Sequence, residues 1–365
     1  MTKLWHVNAE QPQPESLQEA AALLAAGKTV AFPTETVYGL GADARNTEAV
    51  RSIFEAKGRP SDNPLIVHIA DRSQLEVLAA PPAEAVSRLL DAFWPGPLTM
   101  VLPVRPGVLS PLVTAGLSTV GLRMPDHPVA LQLIAAAGCP VAAPSANRSG
   151  RPSPTLVSHV QEDLEGRIAG IVDGGPTGVG LESTVVEYVE TVASGSASAS
   201  GAIQGVLHIL RPGGITAAQL RAALPDVPVL GAAEAESEAA EAPRAPGMKY
   251  AHYAPRGAMV LVQGDAPERV LARIQRELDQ ARSRGERTGV LTYGEHAAAY
   301  RADRVVACGR LSDLESVAQG LYAALREFDE AGIGFIAAEA CPEDGLGAAI
   351  MNRLRKAAGG NILEA

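Results

Sequence analysis

The chain has 365 residues, 47% of them hydrophobic and 20% charged, with a formal net charge of −10 and a pI near 5.3. This length suggests about two domains, and the composition is that of an ordinary globular protein. The acidic balance argues against a chain whose main task is to grip a nucleic-acid backbone, because that affinity comes from neutralised phosphates; a local basic pocket stays open. No apolar run reaches the roughly 18 residues of a membrane span, and the start, Met1-Thr-Lys-Leu-Trp-His6, lacks the apolar core of a secretory signal. Cys139, Cys308 and Cys341 are scattered and odd in number. They suit neither a disulfide framework nor a metal knuckle, so a reducing cytoplasm is the expected compartment.

In chain order, an amphipathic helix over residues 15–26 ends at Gly27, and the apolar run 30–32 reads as a buried strand closed by Pro33. Thr34, Glu35 and Thr36 follow at once, with Tyr38 and two glycines behind them. Polar groups at a strand's carboxyl end are where open α/β sheets bind ligands. The plain alternative is a Thr/Pro/Gly turn whose hydroxyls satisfy the local backbone.

From there to about residue 215, strands are expected at 65–69, 98–102, 119–123, 141–143, 170–172, 183–188 and 206–210. Helices fit 47–56, 73–78, 83–93, 127–137 and 154–164. Strands 183–188 and 206–210 follow each other without a helix, so we expect an α/β fold built on a twisted, mixed open sheet. The Ser/Ala tract at 191–201 reads as a solvated hairpin extension. Residues 225–247 have Ala/Glu/Pro linker composition, and Met248-Lys-Tyr-Ala-His-Tyr-Ala-Pro255 then turns aromatic. Strands at 258–263, 288–293, 305–307 and 333–337 alternate with helices at 267–284, 314–329 and 347–358, the pattern of a smaller Rossmann-like domain. It lacks Gly-x-Gly-x-x-Gly after its first strand, so no dinucleotide is assigned to it. The expected boundaries are 1–220 for the first domain, 221–257 for the linker and 258–365 for the second.

The candidate chemistry clusters at strand ends. Lys57-Gly-Arg-Pro60 sets two cations on a proline-bounded loop, the fork-and-point-charge pair that a triphosphate needs; a solvated basic turn is the alternative. His68 interrupts an apolar strand, where a satisfied core histidine is the commoner case. Arg123 lies inside another apolar strand, where an unpaired guanidinium is costly, so it meets either an internal carboxylate or a ligand's. Ala142 to Ser153 gathers hydroxyls, Asn147, two arginines and a glycine, the makings of an anion nest. Asp173-Gly-Gly175, Glu182-Ser-Thr184 and Arg211-Pro-Gly-Gly214 repeat the pattern. No nucleophile elbow, Walker A loop or zinc spacing is present. An enzyme of this composition works by positioning and charge stabilisation.

Phe32-Pro-Thr-Glu-Thr-Val-Tyr-Gly-Leu-Gly41, Lys57-Gly-Arg-Pro60, Pro144-Ser-Ala-Asn147, Glu182-Ser-Thr184 and Arg211-Pro-Gly213, in this order, resemble the YrdC-domain family of L-threonylcarbamoyladenylate synthases. The motif at 246–255 and the α/β tail resemble its longer, two-domain branch. The resemblance implies that L-threonine, bicarbonate or carbon dioxide, and ATP give threonylcarbamoyl-AMP and pyrophosphate. A separate transferase would then use the product to modify tRNA, with weak or no direct tRNA binding by this chain. By the same resemblance Thr36, His68, Arg123, Ala143 and Ser183 line the threonine site. Arg59, Asn63, Thr119, Ser145, Ser153 and Arg211 hold the nucleotide, and Lys57 adds charge near the phosphates. Tyr250, His252 and Tyr253 form a lid, and Mg2+ arrives with ATP. Two other readings stand beside this one. The chain could be an RNA-binding or translation-regulating module, or it could make a carbamoyladenylate from carbamoyl phosphate; the absence of Cys-x-x-Cys pairs counts against the latter.

Overall fold

The computed structural model describes residues 1–191, 204–231 and 253–365. The first unit is one mixed sheet of eleven strands: β1 (Lys3–His6), β2 (Val30–Phe32), β3 (Gly39–Asp43), β4 (Ile66–His68), β5 (Leu98–Pro103), β6 (Thr119–Arg123), β7 (Val141–Ala142), β8 (Gly170–Asp173), β9 (Thr184–Thr191), β10 (Gln204–Arg211) and β11 (Val229–Leu230). Their spatial order is β1-β8-β2-β3-β7-β4-β6-β5-β9-β10-β11. β4 and β6 are parallel, whereas β2–β3, β5–β6 and β9–β10 are antiparallel, as the helix-free step from the 180s to the 200s implies. One face packs on the helices Thr47–Lys57 and Glu84–Phe93, and the other on Pro14–Ala25 and Pro128–Ala137. Leu17, Leu24, Leu133 and Ile134 are fully buried there against Phe32 and Val172.

Beyond β1 and the short helix Pro111–Thr114, which the sequence reading left unassigned, three stretches depart from it. The stretch after Pro33 returns as β3, antiparallel to β2, with Phe32 opposite Gly39. No alternation marks β3, because all five of its residues are buried. Gly41 is needed there: a Cβ at that position would stand 2.7 Å from both Phe32 and Val141. The segment from 221, assigned to linker by composition, opens instead with the end of the helix Ala217–Ala223 and with β11, which extends the sheet parallel to β10. A two-residue strand is too short to show periodicity. The helix did carry a signal, the reciprocal cap between Thr216 and Gln219. The third is the helix Val157–Leu164, which begins three residues later than expected, after Leu156 in an extended conformation.

The second unit is a parallel sheet in the order β14-β13-β15-β12-β16, from β12 (Ala258–Gln263), β13 (Thr288–Thr292), β14 (Arg304–Ala307), β15 (Phe335–Glu339) and β16 (Ile362–Glu364). Helix Pro267–Ser283 covers one face through Val270, Ile274 and Leu278. Helices Leu314–Glu330 and Gly347–Ala357 cover the other, which makes the unit doubly wound, as expected. Its larger core continues into the first unit through Val37 and Leu181. Among the described residues no helix is long and apolar enough to cross a membrane.

Candidate active site

The parallel register of β4 and β6 sets His68 beside Arg123 at their carboxyl ends, and β7, antiparallel to β4, leads directly into Ala143 and Pro144. The β2–β3 connection closes over them. Thr34 Oγ1 accepts from the Thr36 amide at 3.2 Å and donates to the Val37 carbonyl at 2.7 Å, a local turn that turns Thr36 inward. These residues line a cavity with about 740 Å³ of empty space, open to solvent at its mouth.

Arg123 meets an internal carboxylate: its Nη2 lies 2.7 Å from Glu35, and Nε donates to the Gly96 carbonyl at 3.3 Å. His68 is buried edge-on to Phe32, and Nδ1 has no hydrogen-bond partner. Burial first, then the neighbouring Arg123, brings its pKa down to about 3, so the imidazole is neutral. Ser183 Oγ bonds Thr99 Oγ1 at 2.8 Å. Arg211, at the end of β10, donates through Nη2 to the Ser183 carbonyl at 2.8 Å and to its hydroxyl at 3.2 Å.

The other wall is the loop after β7. Lys57 ends a helix started by Asn46, whose side chain caps the amides of Glu48 and Ala49, and stopped by Gly58 at φ +61°. That placement buries Lys57 and aims Nζ at the carbonyls of Ser145 and Asn147 and at Asn147 Oδ1. Lys57 therefore holds this loop and is not a free hand for phosphate. Burial, then Arg59, lowers its pKa well below the usual lysine value, and its three acceptors oppose that. Asn147 completes the loop, accepting from Ser145 Oγ at 2.6 Å and donating to the carbonyls of Arg148 and Arg151.

The cavity thus gathers Thr36, Lys57, Arg59, His68, Arg123, Ala143, Ser145, Ser153, Ser183, Arg211 and Tyr253. Asn63 and Thr119 are not in its lining. Thr119 opens β6, four residues before Arg123, which puts it about 13 Å away along the strand. Asn63 is fully buried beside Arg59, and both polar atoms of its side chain lack a partner. Tyr250 and His252 lie outside the described residues.

Sequence reasoning missed the second unit's share of this wall. Glu182 lines the cavity and accepts from Ser153 Oγ at 2.6 Å, from Tyr322 Oη at 2.8 Å and from Arg353 Nε at 2.8 Å. Burial pushes the Glu182 carboxyl up, but Arg353 and then Arg211, with the Ser153 bond, outweigh it and bring it down to about 2. Arg326, also from the second unit, donates to the Pro152 carbonyl at 2.6 Å and to Asp163 at 2.7 Å. Each is an isolated polar position on a helix otherwise apolar toward the core, a signal of buried pairing without a named partner.

The sequence profile of a family described as Telomere recombination (Sua5/YciO/YrdC) matches residues 22–195. A second, described as Threonylcarbamoyl-AMP synthase, C-terminal domain, matches residues 215–359. The threonylcarbamoyl-AMP synthase of Bacillus subtilis is 53% identical over 365 residues, 99% of each chain. The chain belongs to the threonylcarbamoyl-AMP synthase family. The synthase of Pyrococcus abyssi is 43% identical over 355 residues, 97% of each chain. The crystal structure of P. abyssi Sua5 complexed with L-threonine matches with a TM-score of 0.88 at 42% identity over all of both chains. Both units and their order are therefore those of a family of synthases, as the five ordered motifs imply.

Proposed function

We propose that this chain is an L-threonylcarbamoyladenylate synthase acting on L-threonine, bicarbonate or carbon dioxide, and ATP. The observation that carries the reading is one cavity with two chemically distinct walls. Toward one side lie Arg123, Thr36, Ala143 and Ser183 with a neutral His68; toward the loop after β7 stand Arg59, Ser145 and Ser153, and Arg211, bonded to Ser183, lies where the two meet. The first suits a small amino acid, its carboxylate on Arg123 and its amine toward the open centre. That the P. abyssi relative was solved in complex with L-threonine supports threonine as that amino acid. The second suits a polyphosphate, whose charge the two arginines offset.

The amine of threonine adds carbon dioxide and releases a proton, giving a carbamate. A carbamate oxygen forms a bond to the α-phosphorus as the bond to the bridging oxygen breaks, and pyrophosphate leaves with that electron pair. No protein nucleophile is needed: positioning and neutralisation of the in-line displacement suffice. Magnesium enters as part of the ATP substrate. No group of three candidate ligands exists among the described residues, and the Glu182 carboxylate in the lining is already engaged by Ser153, Tyr322 and Arg353. The ion then sits on phosphate oxygens and water. Asn63, with its side-chain amide unpaired beside Arg59, is assigned to the nucleotide. Thr119 would require the nucleotide to reach along β6.

The adenylate is a reactive mixed anhydride, so a transferase that moves the threonylcarbamoyl group to tRNA consumes it, and this chain needs no strong tRNA contact of its own. We place the protein in the cytoplasm, in keeping with its three free, buried thiols. The test is incubation of the full chain with ATP, magnesium, L-threonine and carbon-13 bicarbonate. Mass spectrometry should find a threonylcarbamoyl-AMP carrying the label; an unlabelled product, or none, contradicts the reading.

A further inference from the structure

The second unit reaches the cavity wall through a buried ion pair. Glu182, just before β9, and Arg211, which ends β10, lie on antiparallel neighbours, with Arg211 opposite Val185. Between them Gly213 packs so closely that a Cβ would stand 2.3 Å from the Glu182 carbonyl. Arg353, on helix Gly347–Ala357 and fully buried, spans both segments: Nε donates to Glu182 Oε2 at 2.8 Å and Nη1 to the Pro212 carbonyl at 3.0 Å. Its guanidinium lies over the Tyr253 ring, 5.5 Å from the centroid, and Tyr253 stacks on Tyr322 at 5.3 Å. Tyr322 Oη also reaches Glu182.

We infer that Arg353 is a positioning residue for nucleotide binding: by neutralising Glu182 it keeps Arg211 on the Ser183 carbonyl, facing the cavity, and keeps Ser153 in the wall. This rests on the synthase reading above. Glu182 is buried and has two arginines near it, Arg353 from the second unit and Arg211 from the first. A buried carboxylate that loses one counter-ion recruits the other, because an uncompensated buried charge is far costlier than a displaced hydrogen bond. Without Arg353, Arg211 turns from the cavity onto Glu182, and the phosphate wall loses a cation although no residue that faces ATP has changed. The second unit then supplies the counter-ion that leaves Arg211 in place.

The test measures kcat and both KM values by pyrophosphate release on full-length proteins. Arg353→Met should raise the ATP KM about tenfold or more, with the threonine KM within about twofold of wild type. Glu182→Gln combined with Arg353→Met removes both charges, leaves no carboxylate at position 182 to draw Arg211 away, and should recover most of the ATP KM. A parallel rise in both KM values, no rise in either, or a double variant as impaired as the single one overturns the inference. Tyr322→Phe keeps all charges and guards against a single variant that does not fold. It should raise the ATP KM about threefold by loosening Glu182, and an unchanged ATP KM there also overturns the inference. Wild-type protein with no threonine-dependent release would instead remove the synthase reading itself.

Discussion

The Arg123 guanidinium stands 2.7 Å from the Glu35 carboxylate, and both side chains are largely shielded from solvent. Glu35 belongs to the β2–β3 connection and Arg123 to the carboxyl end of β6, so the pair ties the turn to the sheet. A substrate carboxylate bound at Arg123 shares that cation with Glu35. Glu35→Gln should therefore lower the melting temperature of the ligand-free protein, since one partner of a buried pair is gone, yet enlarge the shift that L-threonine induces. Thermal melts with and without threonine measure both. A smaller threonine shift in the variant contradicts the sharing.

Arg123→Ala separates the two walls. Threonine-dependent turnover should fall by about a hundredfold or more, the loss expected when a charge-assisted carboxylate contact of about 3 kcal/mol is removed. ATP binding, followed by calorimetry, should change by less than about threefold. Equal losses for both ligands would contradict the assignment of Arg123 to threonine.

Lys57→Met leaves the carbonyls of Ser145 and Asn147, and Asn147 Oδ1, without their donor. The expected cost is about 3 kcal/mol in urea denaturation, accompanied by a raised ATP KM because the Ser145 loop loses its support. A variant of wild-type stability with a lowered kcat alone would return Lys57 to direct phosphate contact.

Beside His127, whose pKa burial also lowers, two buried histidines set an acid sensitivity. Burial, then Arg123, takes His68 down to about 3, and burial, then Arg326, takes His159 down to about 4, against an ordinary value of 6.5. Between those values the unfolded chain binds protons that the folded one refuses. Their contribution is thus complete above 6.5 and is lost as pH falls. At pH 5 each should cost about 2 kcal/mol relative to pH 7. The Glu182 carboxyl, at about 2, contributes its loss only below its ordinary 4.5. The urea midpoint of the wild type should be lower at pH 5 than at pH 7, and His68→Gln should remove about 2 kcal/mol of the difference. An unchanged difference contradicts the neutral His68.

Much of the site was legible because each motif sits at the end of a strand that hydrophobic runs had located: His68, Arg123, Ala143, Ser183 and Arg211 all stand at or beside such ends. The partners of buried charges were not legible. Arg123 required a carboxylate, but nothing local distinguishes Glu35 from a ligand. Glu182 finds Arg353 across 171 residues of chain. Lys57 reads as a phosphate hand in sequence because its three acceptors are backbone carbonyls and an amide brought to it by the loop after β7. β3 and β11 escaped because a fully buried strand and a two-residue strand carry no period.

The most direct test of the account is pyrophosphate release by the full chain with ATP, magnesium and bicarbonate, run with and without L-threonine and with L-serine and carbamoyl phosphate as controls. The two-walled cavity predicts release that requires both threonine and bicarbonate and falls with serine. Release driven by carbamoyl phosphate in the absence of threonine, or no release at all, would contradict it.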